Sequence, residues 1–135
     1  MKQRKFAART KVDPAKSREQ IERLVLAHGA NEFDSGYGWR ATSKGGAGIG
    51  RVSFKMKGRA VRFTVELPDD EAESRRVWRC LLLVIKAKLE AVETNIVQFD
   101  EEFLAHIVHQ DTGLTIFETM KKLEGEGRRL LPPVS

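Results

Sequence analysis

The sequence predicts an α+β fold in which a three-stranded antiparallel sheet packs on a long helix, with the elements in the order α-β-β-β-α-α-α. Three consecutive segments between residues 36 and 67 alternate apolar with polar side chains, which is the pattern of strands that bury one face. A helical segment, residues 70–94, follows at once and is apolar over most of its circumference. Because the apolar face of the sheet needs a cover, the long helix is its expected partner.

At 135 residues the chain has the length of one domain, and its apolar and charged fractions, 41% and 32%, are ordinary for a globular protein. We expect a flexible basic arm at residues 1–12 and a single α+β domain at residues 13–127. Residues 128–135 are expected to form a C-terminal tail, because two adjacent prolines there oppose a helix.

The first helix is predicted to begin at Asp13 and Pro14, since aspartate is a preferred N-cap and proline fits the first helical position. Ile21 and Val25 then recur at helical spacing. Gly29 is suited to end this helix, because glycine adopts the left-handed conformation without steric cost.

The three strand segments are GYGWRAT (36–42), RVSFKMK (51–57) and AVRFTVEL (60–67). A tight turn at Lys57-Gly58-Arg59 joins the second and third, which predicts a β-hairpin. Between the first and second lies SKGGAGIGR, with four glycines in six residues. This segment lacks the lysine, the Ser or Thr and the following helix of a P-loop. We therefore expect either a flexible connector or a loop that closes over a ligand.

The long helix is predicted to run from about Asp70 to Thr94, with a carboxylate of the segment PDDEAES as its N-cap and Asn95 at its end. Its charged residues fall in one narrow stripe, and the rest of its circumference forms two apolar sides. One side is expected to pack on the sheet, and the other requires the C-terminal helices or a second subunit. The residues predicted to form an oligomer interface are Trp78, Leu81, Ile85, Lys88 and Leu89.

Two residues inside this helix need separate treatment. Lys88 projects from the apolar arc, so either its stem extends to solvent or its ammonium group pairs with a carboxylate. Cys80 lies within the apolar run and is expected to be a buried structural thiol. Because it is the only cysteine, no disulfide can form within one chain, which favours a reducing cytoplasm.

Two further helices are predicted after the long one. FDEEFLAHIVH (99–109) is predicted to be helical with Asp100 as its N-cap, and TIFE (115–118) is a capping box that starts the last helix. Glu102, His106 and His109 would then share one helix face, a spacing that could hold a transition metal. Without further histidines nearby we expect surface or capping roles for them and predict no metal site.

Several classes of function receive no support from the sequence. No apolar run reaches the roughly 18 residues that a membrane span needs. The basic N-terminus is not followed by the apolar segment of a secretory signal. The Ser, Cys and His residues show no arrangement of nucleophile and base, so we predict a protein that is not an enzyme and needs no cofactor.

Positive charge is concentrated in the first half of the chain. Residues 1–60 contain 14 Lys and Arg against 5 Asp and Glu, a net +9, whereas residues 61–135 contain 10 against 14, a net −4. This asymmetry favours contact with a polyanion, most simply nucleic acid, although a solvated basic surface has the same composition. The predicted nucleic-acid- or phosphate-binding residues are Lys2, Arg4, Lys5, Arg9, Arg40, Lys44, Arg51, Lys55, Lys57 and Arg62.

Two aromatic residues accompany these cations in the first strand segment. Tyr37 and Trp39 would lie on one face of that strand, close to Arg40 and Lys44. Aromatic rings beside cations are typical of proteins that stack on single-stranded bases. The alternative is that both rings belong to the buried face of the sheet.

The segment WRCLLLVIKAKLEAVETNIVQFDEEFLAHIV resembles a small-protein family that is common in the genomes of tailed bacteriophages and prophages. GRAVRFTVELP and, near the N-terminus, ARTKV and IERLV are similar too, so the resemblance covers most of residues 7–117. It implies a phage-type origin and the cytoplasm of an infected bacterium. The family provides no catalytic residues to transfer to this chain, and its glycine loop is usually shorter.

Together these observations favour a non-enzymatic phage protein that binds nucleic acid, most simply single-stranded DNA in a single-strand-binding or annealing role. The alternative is a phage inhibitor of host defence that sequesters a nucleotide signal or blocks a host protein. A structural role with the long helix as an interface is the third hypothesis. In each case we expect a homo-oligomer without membrane association.

Overall fold

A computed structural model describes residues 16–41 and 45–134 of the chain. Its helices are α1 (16–27), α2 (Glu71–Glu93), α3 (Phe99–Phe103) and α4 (Ile116–Gly125), and its strands are β1 (Glu32–Arg40), β2 (Ala47–Met56) and β3 (Arg59–Leu67). The predicted α+β class and the order α-β-β-β-α-α-α are confirmed. The predicted arm at residues 1–12 and the helix start at Asp13 and Pro14 lie outside the described residues.

The three strands form one antiparallel sheet in the order β1-β2-β3. The β2–β3 hairpin turns through Lys57 and Gly58, whose φ angles are 53° and 77°. Two positive φ angles in a two-residue loop are typical of a type I′ turn, whose twist matches that of the flanking strands. The resulting register pairs Met56 with Arg59 and Val52 with Phe63, and it places alternate residues on one face.

One hydrophobic core lies between the sheet and the helices α1, α2 and α3. Phe103 of α3 is fully buried and meets Phe54 and Phe63 of the sheet edge-on, with ring centroids 6.3 Å apart in both pairs. Ile21 of α1 and Ile85 of α2 are fully buried in the same cluster. The helices therefore cover one face of the sheet, and the alternate residues of each strand point away from them.

The glycine-rich segment is part of a strand rather than only a connector. β2 begins at Ala47, so residues 47–50 belong to the sheet, whereas the sequence predicted a strand only from Arg51. A Cβ atom at Gly50 would lie 2.5 Å from Cζ2 of Trp78 and 3.0 Å from its Cη2. Gly50 is thus required because the indole of Trp78 rests directly on the backbone of β2.

The ends of α2 follow the predicted signals. The side chain of Asp70 accepts a hydrogen bond from the backbone N–H of Glu73 at 3.0 Å, which identifies Asp70 as the N-cap. Thr94 is the C-cap, and Asn95 follows in the left-handed region with φ 65°. Asparagine tolerates this conformation better than most residues, so it ends the helix without a glycine.

The predicted oligomer interface on α2 is wrong. Trp78, Leu81, Ile85 and Leu89 are between 0% and 5% exposed within a single chain, because the sheet and α3 together cover that side of the helix. The predicted burial of Cys80 is wrong as well, since Cys80 is exposed. The side of α2 that faces solvent carries Leu83 and Val84, which are 56% and 46% exposed.

Lys88 forms an ion pair and does not simply extend to solvent. Its Nζ donates to Oε2 of Glu102 at 3.1 Å and to the backbone oxygen of the same residue at 3.2 Å. It also lies 5.8 Å from the ring centroid of Phe103. Both charged side chains are about one-fifth to one-quarter exposed, at 21% and 25%. The ammonium group thus ties α2 to the end of α3, and it cannot serve as an oligomer contact as predicted.

The helix predicted over residues 99–109 is much shorter in the structure. The N-cap is Gln98, which forms a capping box with Glu101, and α3 ends at Phe103 before a 3-10 turn, Leu104–His106. Phe99 takes the first helical position because it is buried and stacks on Phe103 at 4.6 Å. Tertiary packing of this aromatic ring therefore overrides the N-cap preference of Asp100.

Asp100 instead holds the hairpin to α3. It accepts hydrogen bonds from Nε and Nη2 of Arg59 at 3.0 and 2.7 Å. These hydrogen bonds hold the pKa of Asp100 below its usual value. The chain then continues past the 3-10 turn in an extended form, in which Ile107 pairs with Val61 and Val108 with Thr115.

The last helix begins as predicted. The side chain of Thr115 accepts from the backbone N–H of Glu118 at 3.1 Å, and Glu118 accepts from the backbone N–H of Thr115 at 2.8 Å. These two contacts complete the capping box. After Gly125 the chain turns through Gly127, whose φ is 83°, and residues 128–134 contain no helix or strand.

Candidate nucleic-acid interface

The face of the sheet that points away from the helices carries several of the predicted nucleic-acid-binding residues. Because Val52 and Phe54 of β2 are buried, Arg51, Ser53 and Lys55 between and beside them point outward. The pairing register brings the outward residues of all three strands together. The charged ones are four cations, Arg40, Arg51, Lys55 and Arg62, and three acids, Glu32, Asp34 and Glu66.

Arg51 lies at the centre of this outer face. It pairs across β1 with Gly36 and across β3 with Thr64, so small side chains flank it on both sides. Arg51 is exposed, and none of the described residues forms an ion pair with it. A guanidinium group on a flat surface of small residues is accessible to a phosphate group and to the planar face of a base.

Two other predicted cations on this face are partly neutralised. Nη1 of Arg40 lies 3.7 Å from Oε2 of Glu66, and Nζ of Lys55 lies 3.7 Å from Oε2 of Glu32. All four side chains are between 48% and 64% exposed, so each pair is weak and open to exchange with another anion. Arg40 and Lys55 can therefore still bind phosphate, but the outer face is less positive than the sequence alone suggests.

Arg62 was predicted to bind phosphate, but its guanidinium group is occupied by contacts within the protein. Its Nη2 donates to the backbone oxygen of Gly113 at 2.9 Å and to Oε1 of Glu118 at 2.8 Å, which fastens the start of α4 to β3. Burial alone would raise the pKa of Glu118, but hydrogen bonds from Thr115 and the charge of Arg62 outweigh it and lower this pKa. Arg62 is thus a structural residue that is only 21% exposed.

The two aromatic residues of β1 have different environments. The ring of Tyr37 packs edge-on against Trp78 at 5.9 Å, and the guanidinium group of Arg18 lies 4.8 Å above it. Burial raises the pKa of Tyr37, and Arg18 opposes that rise. Trp39 is 65% exposed and lies over Gly46, where a Cβ atom would be 2.5 Å from the indole nitrogen. Of the two predicted stacking residues, Trp39 alone presents an open ring.

Of the remaining predicted cations, the structure describes only Lys57. Lys57 is exposed at the tip of the hairpin, at one end of the sheet, far along the strand from Trp39. Lys2, Arg4, Lys5, Arg9 and Lys44 lie outside the described residues. The structure thus brings Arg40, Arg51 and Lys55 together on the outer face. Trp39 at the end of β1 points to the opposite face of the sheet, because it shares the strand parity of Tyr37 and alternates with Arg40.

A groove runs along the outer edge of β3 and was not predicted. It has a volume of about 990 Å³ and lies between β3, α2 and the segment that contains the 3-10 turn and the start of α4. Three arginines line it, Arg40, Arg62 and Arg76, together with the exposed ring of Phe117. No sequence motif could reveal this groove, because its walls come from segments that are distant in the chain.

His106 at the edge of this groove stacks on Phe63, with ring centroids 4.0 Å apart. Burial and the positive charge of Lys88 lower the pKa of His106, and a hydrogen bond to the backbone of Arg62 opposes them. The predicted shared face with Glu102 and His109 does not form, because α3 ends before His106. In residues 16–41 and 45–134 no three His, Cys, Asp or Glu side chains are grouped to hold a metal ion.

The lowered pKa of His106 predicts a loss of stability in mild acid. As the pH falls, His106 takes up a proton in the unfolded chain before it does so in the folded one. The contribution of His106 to the free energy of unfolding is therefore fully present above about pH 6.5, and it decreases below that pH until the folded form is protonated as well. The slope cannot exceed about 1.4 kcal/mol per pH unit for one group. We expect His106→Phe to flatten the stability profile between pH 7 and 5 in urea unfolding. The exposed His109→Phe is the control, and an equal flattening there would contradict this prediction.

Comparison of the chain with protein-family models, with curated proteins and with solved structures finds no match. The resemblance to a phage protein family therefore stays an expectation. None of the helices in the described part of the chain combines the length and the apolar character that crossing a bilayer requires.

Proposed function

We propose that this protein binds single-stranded nucleic acid without catalysing a reaction. The observation that carries the proposal is Arg51, an exposed guanidinium group at the centre of an open sheet face that forms no ion pair with any residue of 16–41 and 45–134. Arg40 and Lys55 flank it in weak pairs that a phosphate group can displace. Residues 1–12 add five Lys and Arg and no acid, which increases attraction to a polyanion.

Sequence-independent attachment is the form of binding that this surface favours. Phosphates would contact the cations of the outer face. A strand that passes around the end of β1 would also bring one base onto the exposed indole of Trp39, which points to the opposite face of the sheet. Stacking tolerates any base because each base has a planar face. On the basis of the resemblance to phage proteins, we also propose that this binding serves DNA metabolism in the cytoplasm of an infected bacterium.

The proposal is tested by titrating a labelled single-stranded oligonucleotide with the protein and following fluorescence anisotropy at several salt concentrations. The logarithm of the affinity should fall linearly with the logarithm of the salt concentration. Arg51→Gln should weaken binding several-fold and reduce the slope by about 0.7, the value for one phosphate contact on a single strand. Arg23→Gln, on the exposed side of α1, is the control because it removes the same charge away from the sheet.

Intrinsic fluorescence separates stacking from electrostatic attachment in the same titration. Trp78 is fully buried and Trp39 is 65% exposed, so quenching by bound bases reports Trp39. Trp39→Leu should remove the quenching and weaken binding. Absence of any binding at low salt and micromolar protein would show that the proposed function is wrong.

The groove beside β3 favours a second candidate function, the binding of a free nucleotide by a phage inhibitor of host defence. Its volume of about 990 Å³ suits a small ligand, and Phe117 offers a ring for a base. Arg40 and Arg76 line it in exposed ion pairs with Glu66 and Glu73, which a phosphate group can displace. Arg76→Gln should then weaken nucleotide binding and leave oligonucleotide binding unchanged. Equilibrium dialysis against labelled ATP distinguishes the two candidates.

A further inference from the structure

The accessible cations of the outer face lie in a diagonal line across the sheet. At one end the side chains of Arg40 on β1 and Glu66 on β3 meet over β2. At the other end Lys55 of β2 lies beside Glu32 of β1, and Arg51 stands between the two pairs. The β2 residue opposite Glu66 is six positions before Lys55, so the line is about 20 Å long. Cations in single file match one phosphate backbone that crosses the sheet.

The outer face of the three strands offers no ring on which a base could stack. Every aromatic residue of these strands has the strand parity of the buried positions: Phe33, Tyr37, Trp39, Phe54 and Phe63. The uncharged outward side chains are small apart from Ile49. A Cβ atom at Gly38 would lie 3.3 Å from Cγ1 of Ile49, so this side chain lies along the sheet. Proteins that hold bases against their surface supply aromatic rings for them, and the strands supply none on this face.

We propose that a bound single strand turns its phosphates to this line of cations and its bases to solvent, so that the protein promotes the annealing of complementary strands. The inference rests on the proposed binding of nucleic acid to the outer face. Arg40, Arg51 and Lys55 attract the phosphates, whereas the bases find no ring there. Trp39 lies around the end of β1 and reaches only a base at that end of the strand. The pairing edges of the other bases stay accessible to a second strand.

The charges of the protein favour both the pairing of the strands and the release of the duplex. Repulsion between phosphates slows the approach of two strands, and cations along one backbone reduce that repulsion. Residues 1–12, with five Lys and Arg and no acid, attract the second strand. Glu66 and Glu32 compete with phosphate for Arg40 and Lys55, each at a distance of 3.7 Å, which keeps the attachment weak. The finished duplex can therefore leave the surface.

The test is the rate at which two complementary oligonucleotides anneal, followed by energy transfer between dyes on the two strands. One strand is first saturated with the full chain, as judged by fluorescence anisotropy. We expect the rate constant to rise roughly tenfold at low salt, the lower end of what electrostatic attraction adds to association rates, and to return to the protein-free value at high salt. Arg51→Gln should remove most of the acceleration, and the control Arg23→Gln should retain it.

A fluorescent adenine analogue within one strand reports whether bases touch the outer face, once Trp39→Leu has removed the ring at the end of β1. Its emission should stay close to that of the free strand on binding, because the base remains in solvent. Adding Thr64→Tyr places a ring beside Arg51 and should both change this emission and slow annealing. Binding by the wild type without acceleration, or a changed emission without Thr64→Tyr, would overturn the inference and leave the proposed function intact. Absence of binding would remove both.

Discussion

Gly50→Ala is expected to lower the free energy of unfolding by about 1–3 kcal/mol, the usual cost of overpacking a core. The new Cβ would lie 2.5 Å from Cζ2 of Trp78 and 3.3 Å from Cδ1 of Leu67. Trp78 is fully buried and also contacts Tyr37, so its ring cannot move away without losing other contacts. Urea unfolding followed by circular dichroism measures the change.

Gly36→Ala is the matched control for this substitution. Gly36 lies in the same sheet, and a Cβ atom there has nothing within 4 Å. Its expected effect is neutral or slightly stabilising, because alanine reduces the freedom of the unfolded chain. Trp78→Phe in the Gly50→Ala background should recover part of the lost stability by making room. Equal effects of the two alanine substitutions would contradict the close contact between β2 and Trp78.

Lys88→Leu is expected to lower the free energy of unfolding by about 1–3 kcal/mol, because it leaves a half-buried carboxylate and a backbone oxygen without their donor. Both acceptors belong to Glu102, at 3.1 and 3.2 Å from the ammonium nitrogen. The loss stays below that of a fully buried pair, since Glu102 is 25% exposed and can be partly hydrated.

Lys86→Leu is the control, since Lys86 is an exposed lysine of the same helix. It should change stability by no more than about 0.5 kcal/mol. A double-mutant cycle with Glu102→Gln then isolates the coupling between the two partners. If Lys88→Leu is as harmless as Lys86→Leu, the pair contributes nothing and Lys88 merely reaches solvent.

The candidate interface could be predicted only in part. Alternation along β2 predicted that Lys55 points outward, because side chains in a strand alternate regardless of what surrounds them. Arg51 was expected at the glycine loop, and its place on the same face became visible only because β2 begins at Ala47. The same pattern could not show that Arg62 reaches over the edge of the sheet to Gly113 and Glu118, about fifty residues later in the chain. The exposure of Trp39 also depends on how far the helices extend over the end of β1.

The sequence by itself determined the element order, the tight hairpin turn at Lys57-Gly58-Arg59, the carboxylate N-cap of the long helix and the capping box at Thr115. These features depend on residues that are neighbours in the chain, so local conformational preferences and hydrogen bonds decide them. Only the tertiary structure decided which apolar side of α2 is buried, why Gly50 is glycine and where Lys88 finds its partner. Those outcomes depend on contacts between distant segments, which periodicity cannot specify because several packings satisfy the same pattern.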